Sequence, residues 1–251
     1  MKTSREHGQN AYAPAIRTPH VMCGRTSLFA PQPEIEARFE ATFDHEYEPR
    51  YNIAPGAELA VIHDANPETI TRDTWGFVPT WAESGDDGPR PINARVESVA
   101  ESRLFGTAFE DRRALVIADG YYEWAGNSGG KQPYRITVGD DCFAMAGIWS
   151  RHEKVGKSRT TIAILTTNAT GELASIHDRM PVILNRSGES AWLESEPTEP
   201  VDSVSDRSVF ERLDLTPIST LVNDPANNSP AVIDPVGGDS GQTGLSDFGA
   251  D

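Results

Sequence analysis

The sequence predicts an α+β or mainly-β domain, and three observations predict it. Short β-prone runs recur along the chain, bounded by clusters of Gly, Asp, Asn and Pro. Helical periodicity is confined to a few short segments. With 37% apolar and 8% aromatic residues, 251 residues suffice for one core, so a single domain with tails is expected.

Taken in order, residues 1–21 show no periodicity and are expected to be a disordered extension or a mis-assigned start, with order beginning at Met22. The segment Pro33–Phe43 spaces Ile35, Phe39 and Phe43 four apart, on one face of a short helix with Pro33 near its first turn. Strands are expected at Leu59–His63, Thr69–Val78, Ala114–Ala118, Pro133–Val138, Cys142–Trp149 and Thr160–Thr166. Ala94–Phe109 and Thr170–Ile176 read as helical, and Glu189–Glu194 adds one more turn. Ser195–Ser208, acidic and rich in Pro and Ser, is expected to be a surface loop. The domain is expected to span 22–236, with 237–251 a disordered acidic tail. No internal repeat is visible.

No run of about 18 apolar residues exists, and the first 21 residues lack the apolar stretch of a secretory signal. A soluble cytoplasmic protein without membrane association is the expectation. Cys23 and Cys142 are the only cysteines, too few for a disulfide framework and without zinc-site spacing, so neither a metal nor another cofactor is expected. The net charge of −16 argues against a nucleic-acid partner until its distribution is considered. From Ser187 to Asp251 there are 13 acidic and 2 basic residues, a net of −11 that leaves −5 for everything before it. Only Lys2, Lys131, Lys154 and Lys157 are lysines, so 18 of the 22 basic residues are arginine. Such an acidic, lysine-poor composition suggests a halophilic, high-salt cytoplasm.

Several residues carry candidate chemistry. Cys23 follows Met22, and an initiator methionine before a small residue is normally removed. Translation from Met22 therefore makes Cys23 the N-terminal residue, with a thiol beside an α-amine of pKa about 8. A 1,2-aminothiol condenses with aldehydes; a buried structural cysteine is the other reading, and the one Cys142 receives. Glu123, in ADGYYEWAG, sits among aromatics directly after a strand and suits proton transfer, although an exposed Glu paired with an arginine fits equally. His177, in ASIHDRMPVIL, is a candidate proton shuttle or a histidine bonded to Asp178. Asn93, in PINARVES, is placed to donate to a substrate oxygen or to cap a following helix. The Trp75–Gly76–Phe77 run and Trp81 offer stacking surfaces, and Arg25, Arg95, Arg103 and Arg179 offer phosphate contacts; core and solvated roles are their alternatives.

These residues occur within MCGR, RYNIAPG, WGFVPTWA, INARVES with SRLF, ADGYYEW, AGIWS, LTTNA, IHDRMPVIL and PISTLVN, in that order over about 215 residues from Met22 to Val236. The ordered set resembles the SRAP family of SOS-response-associated peptidases and abasic-site processing proteins. The resemblance implies a compact α+β fold around a barrel-like mixed or antiparallel sheet, with a positively charged cleft for single-stranded DNA. It also implies a reversible thiazolidine cross-link between Cys23 and an abasic sugar. Carried over by motif, Asn93 orients the amine and sugar, Glu123 handles protons at the amine and in reversal, and His177 helps open the deoxyribose ring. Arg25, Asn52, Arg95, Arg103 and Arg179 match DNA-contacting positions, and Pro55 and Trp81 shape the cleft wall.

One requirement accompanies the resemblance: residues 1–22 must be absent from the mature protein, since an amide nitrogen cannot form an imine. Two alternatives stay open. One is a thiol peptidase pairing Cys23 with His177, acting on its own leader; the other is a non-covalent single-strand binding module. A monomer is expected, and association with replication machinery is not readable.

Overall fold

The computed structural model describes residues 24–82, 90–126, 130–139, 142–154, 157–194 and 212–236. Among them the chain runs through β1 (Thr26–Leu28), α1 (Gln32–Phe39), β2 (Thr42–Phe43), β3 (Arg50–Ile53), β4 (Glu58–His63), β5 (Asn66–Trp75) and β6 (Asn93–Arg95). It continues with α2 (Gly106–Asp111), β7 (Arg113–Ala118), β8 (Gly120–Ala125), β9 (Gln132–Val138), β10 (Phe143–Lys154) and β11 (Lys157–Asn168). Last come β12 (Arg179–Pro181), β13 (Ile183–Leu184), α3 (Arg186–Glu194) and β14 (Leu213–Pro217).

Five of these strands close on themselves. β11 pairs with β10, β10 with β7, β7 with β4 and β4 with β5, all antiparallel. β5 then returns to β11 in parallel, with Thr74 opposite Thr161 and Trp75 opposite Ile162. Closure leaves the ring without a free edge. Its interior is tight at Gly147, where a Cβ would stand 3.0 Å from Ile162 Cδ1 and 3.1 Å from Val116 Cγ2, so a side chain there would need both neighbours to shift. Val61, Val116, Met145, Ile162 and Ile164 are fully buried. This mainly-β barrel with few short helices is the expected fold class. A second sheet, ordered β14-β9-β8-β1-β3, packs against the barrel through Tyr121, whose ring lies edge-on to Phe143 at 6.5 Å.

Each expected strand is present, most of them longer than predicted. The first helix stops early because Glu40 adopts a left-handed conformation and donates its N–H to Glu36 O, so Phe43 falls in β2 instead. Thr170–Ile176 contains a 3-10 helix over Gly171–Ser175, and α3 begins three residues before the expected turn, where Asn185 Oδ1 accepts from Gly188 N at 2.7 Å. The expected helix Ala94–Phe109 is a correction: Asn93–Arg95 is a strand, and only Gly106–Asp111 is helical. Parallel pairing of β6 with β11, Asn93 opposite Ile164, overrides the local helical spacing. Residues 1–21, Ser195–Ser208 and 237–251 lie outside the described residues. No helix among the described residues is long and apolar enough to cross a membrane.

Candidate functional site

The barrel registers bring several sequence-distant segments to one end. Ala118 pairs with Phe143, so β7 ends where β10 begins. β11, antiparallel to β10, ends on that side, and so does β5, which runs parallel to β11. β4 starts there, with Glu58 opposite Thr74. The turn preceding β4 carries the exposed Pro55 and is fixed to β5 by Gly56 N–H donating to Trp75 O at 2.8 Å. β6 lies beside the last residues of β11, and β12 pairs with the same stretch, Asn168 opposite Arg179.

Glu123 reaches this end through β8. Asp119 holds the turn between β7 and β8, accepting from Ser27 Oγ at 2.6 Å, Ala30 N at 3.0 Å and Arg135 Nη2 at 3.3 Å. The turn sets β8 beside β1, with Thr26 opposite Tyr121, and Tyr122 N–H donates to Arg25 O at 3.0 Å. Extended two residues past Thr26, the same register would bring Gly24 level with Glu123. Alternation along β8 directs Tyr121 and Glu123 toward the barrel, and Tyr122 and Trp124 toward the C-terminal segment with Ile218, Val222 and Val232. The Glu123 side chain is buried, its residue 2% exposed. Burial pushes the Tyr122 hydroxyl up to about 12; it donates to Tyr51 O at 2.6 Å.

His177 and Asn93 flank the end of β11. The imidazole Nδ1 accepts from the Arg179 backbone N–H at 3.0 Å. Asp178 Oδ1 lies 3.0 Å from the same Nδ1, with its side chain exposed. Asn93 is half-buried on β6, and alternation places it on the same side of the strand as the exposed Arg95, with the buried Ala94 on the other. Asn93 and His177 thus flank the end of β11, and Glu123 lies on β8, which follows β7 from the same end of the barrel. Arg103 is exposed, and Trp81, six residues beyond the end of β5, is 68% exposed.

Three expected DNA-contact residues are turned into the protein. Arg179 is buried and donates to Glu97 Oε1 and Oε2, Asn168 Oδ1 and Thr166 O at 2.6–2.9 Å. Those donated bonds hold the Glu97 carboxyl below the usual carboxylate range, against the opposing effect of burial. Asn52 is 1% exposed and bonded to Arg25 and to three carbonyls of the C-terminal segment. Arg25 lies over Trp124, and burial lowers the pKa of its guanidinium. Cys23 lies outside the described residues. Sequence reasoning missed Glu97, Asn168 and Asp119. Glu97 stands within INARVES and Asn168 within LTTNA, so both motifs carried a signal that a search for reactive groups passed over.

Comparison with known proteins gives concordant matches. The model of the family described as SOS response associated peptidase (SRAP) matches residues 22–225. The chain is 34% identical to the abasic site processing protein YoqW of Bacillus subtilis, over 85% of this chain and 99% of that one. It is 33% identical to the abasic site processing protein YedK of Escherichia coli, over 70% and 81%. Among solved structures, a Bacteroides thetaiotaomicron protein superposes with a TM-score of 0.74 at 26% identity, covering 84% of this chain and 98% of its own.

Proposed function

The chain belongs to the SRAP family, and from that premise we propose that it processes abasic sites in single-stranded DNA by forming a reversible covalent adduct through Cys23. The α-amine of a mature Cys23 adds to the aldehyde of the ring-opened sugar, and loss of water leaves an imine. The thiol then adds to the imine carbon, its proton passing to nitrogen, which closes a thiazolidine. Glu123 accepts and returns the amine protons, His177 assists ring opening of the sugar, and Asn93 donates to a sugar oxygen. Arg95, Arg103 and Trp81 hold the strand outside.

The observation that supports this reading most is the hydrogen bond from Tyr122 N–H to Arg25 O, which fastens the first described residues to the strand that carries the buried Glu123. In sequence Cys23 stands two residues before Arg25, and Glu123 one residue after Tyr122. The family match beginning at Met22 is in keeping with a start there. The protein acts in this proposal as a cytoplasmic monomer.

Protein beginning at Cys23 is mixed with a single-stranded oligonucleotide carrying one abasic site and run on a denaturing gel. A shifted band that disappears in Cys23→Ala supports the adduct; no band, or an equal band in Cys23→Ala, sinks it. Binding that survives Cys23→Ala and falls steeply with salt returns the non-covalent module. Intact mass of protein expressed from Met1 tests the peptidase alternative, since self-cleavage before Cys23 must vanish in both Cys23→Ala and Glu123→Ala.

A further inference from the structure

Asn52, the third residue of β3, meets four polar groups from two distant segments. Its Oδ1 accepts from Arg25 Nη1 at 2.7 Å. Its Nδ2 lies 2.9 Å from Asn227 O, 3.0 Å from Asp224 O and 3.3 Å from Val222 O. Arg25 has only donors and the carbonyls are only acceptors, so the carboxamide fits one way round. Arg25 Nη1 also donates to Val222 O, which makes that carbonyl common to both side chains. Two further bonds fasten the same segment: Tyr51 N–H to Asn228 Oδ1 and Trp124 Nε1 to Asn223 Oδ1, each 2.7 Å.

A residue this buried, with both amide hydrogens committed, has little left for a phosphate or a base. Its leverage is on Arg25. That residue is pinned by its backbone to β8, through Tyr122 N–H, and by its side chain to Asn52. Cys23 is two residues upstream, a reach of about 7 Å at full extension. Release of the Arg25 side chain frees the start of β1, and with it the distance from the nucleophile to Glu123.

We propose that Asn52 is a positioning residue for the reacting N-terminus, acting through Arg25 and the C-terminal segment 222–228 rather than by touching DNA. The inference rests on the reading of Cys23 as the nucleophile. Single-turnover adduct formation is measured against concentration of abasic oligonucleotide, with a thermal melt of each protein. Asn52→Ala is expected to lower the limiting rate about tenfold and to leave the half-saturating concentration within about threefold. Asn52→Asp keeps an acceptor for Arg25 but sets a second oxygen against the three carbonyls of segment 222–228, so it is expected to stay slow as Asn52→Ala does. A direct DNA contact predicts the opposite split, an unchanged limiting rate with a raised half-saturating concentration, and that result overturns the proposal, as does an Asn52→Ala protein equal to wild type. If Asn52→Ala shows no cooperative melt, Arg25→Lys carries the test: it keeps the charge but loses the fork toward Asn52 and Val222, and must slow the limiting rate. Wild-type protein that forms no adduct overturns the reading of Cys23, before any variant at Asn52 is compared.

Discussion

Arg179 forms a two-pronged ion pair with Glu97, Nη1 at 2.6 Å from Oε1 and Nη2 at 2.9 Å from Oε2. The arginine side chain is 7% exposed and the carboxylate 46%. This pair joins the segment after β6 to the start of β12, and so spans the two strands that flank the end of β11. The backbone N–H of the same Arg179 orients His177. One residue therefore braces the frame of the site and contacts the ring of its histidine.

Removal of Glu97 leaves a buried guanidinium with only Asn168 and Thr166 as partners. Half exposure of the carboxylate discounts the cost, so Glu97→Gln is expected to destabilise by about 1–2 kcal/mol, read from urea denaturation at pH 7. The folded carboxyl titrates below the ordinary glutamate value of 4.5. The stability it contributes is therefore fully present above that pH and is lost as pH falls through the lower folded value. The gap between wild type and Glu97→Gln must narrow below about pH 4.5; a gap that stays constant to pH 3 contradicts the pair.

Glu123→Gln tests proton transfer without changing shape. The variant is expected to melt as wild type does within a few degrees, while the rate of adduct formation falls by about 10²–10⁴. Reversal, followed by chasing a preformed adduct with excess competing aldehyde, should slow as well. A Glu123→Gln protein with wild-type rates in both directions removes Glu123 from the mechanism.

Trp81 exposes 68% of its surface. Trp81→Ala is accordingly expected to leave the melting temperature unchanged and to weaken binding of undamaged single-stranded DNA by about 1–3 kcal/mol, measured by fluorescence anisotropy. Unchanged affinity assigns the exposed ring no part in stacking.

The barrel was legible because its strands are continuous β-prone runs, buried along most of their length and bounded by turn residues; Ala114–Ala118 and Thr160–Thr166 were found within a few residues of their true ends. β6 was not, since a three-residue strand that pairs in parallel with a distant segment has no local pattern of its own. The reactive candidates Asn93, Glu123 and His177 were legible as residue types within motifs. The roles of Arg179 and Asn52 were not. An arginine beside an aspartate in IHDRMP looks solvated, and only the fold brings Glu97 and Asn168 against it. Asn52 depends on Val222, Asp224 and Asn227, about 170 residues away, a distance across which no spacing rule reaches.

Electrostatics supply the last expectation. Of the four arginines that the sequence offers for phosphate contacts, Arg25 and Arg179 are committed to internal partners, while Arg95 and Arg103 are exposed. Each phosphate neutralised on a single strand contributes a slope of about −0.7 to the logarithm of affinity against that of salt. Two exposed arginines on a chain of net charge −16 therefore predict a shallow slope of about −1.4. Arg95→Ala and Arg103→Ala should each reduce it by about half, with little change in melting temperature. Non-covalent binding measured between low and high salt decides the matter. A slope near −3 or steeper requires further cations to reach the backbone, and would return Arg25 and Arg179 to the DNA surface.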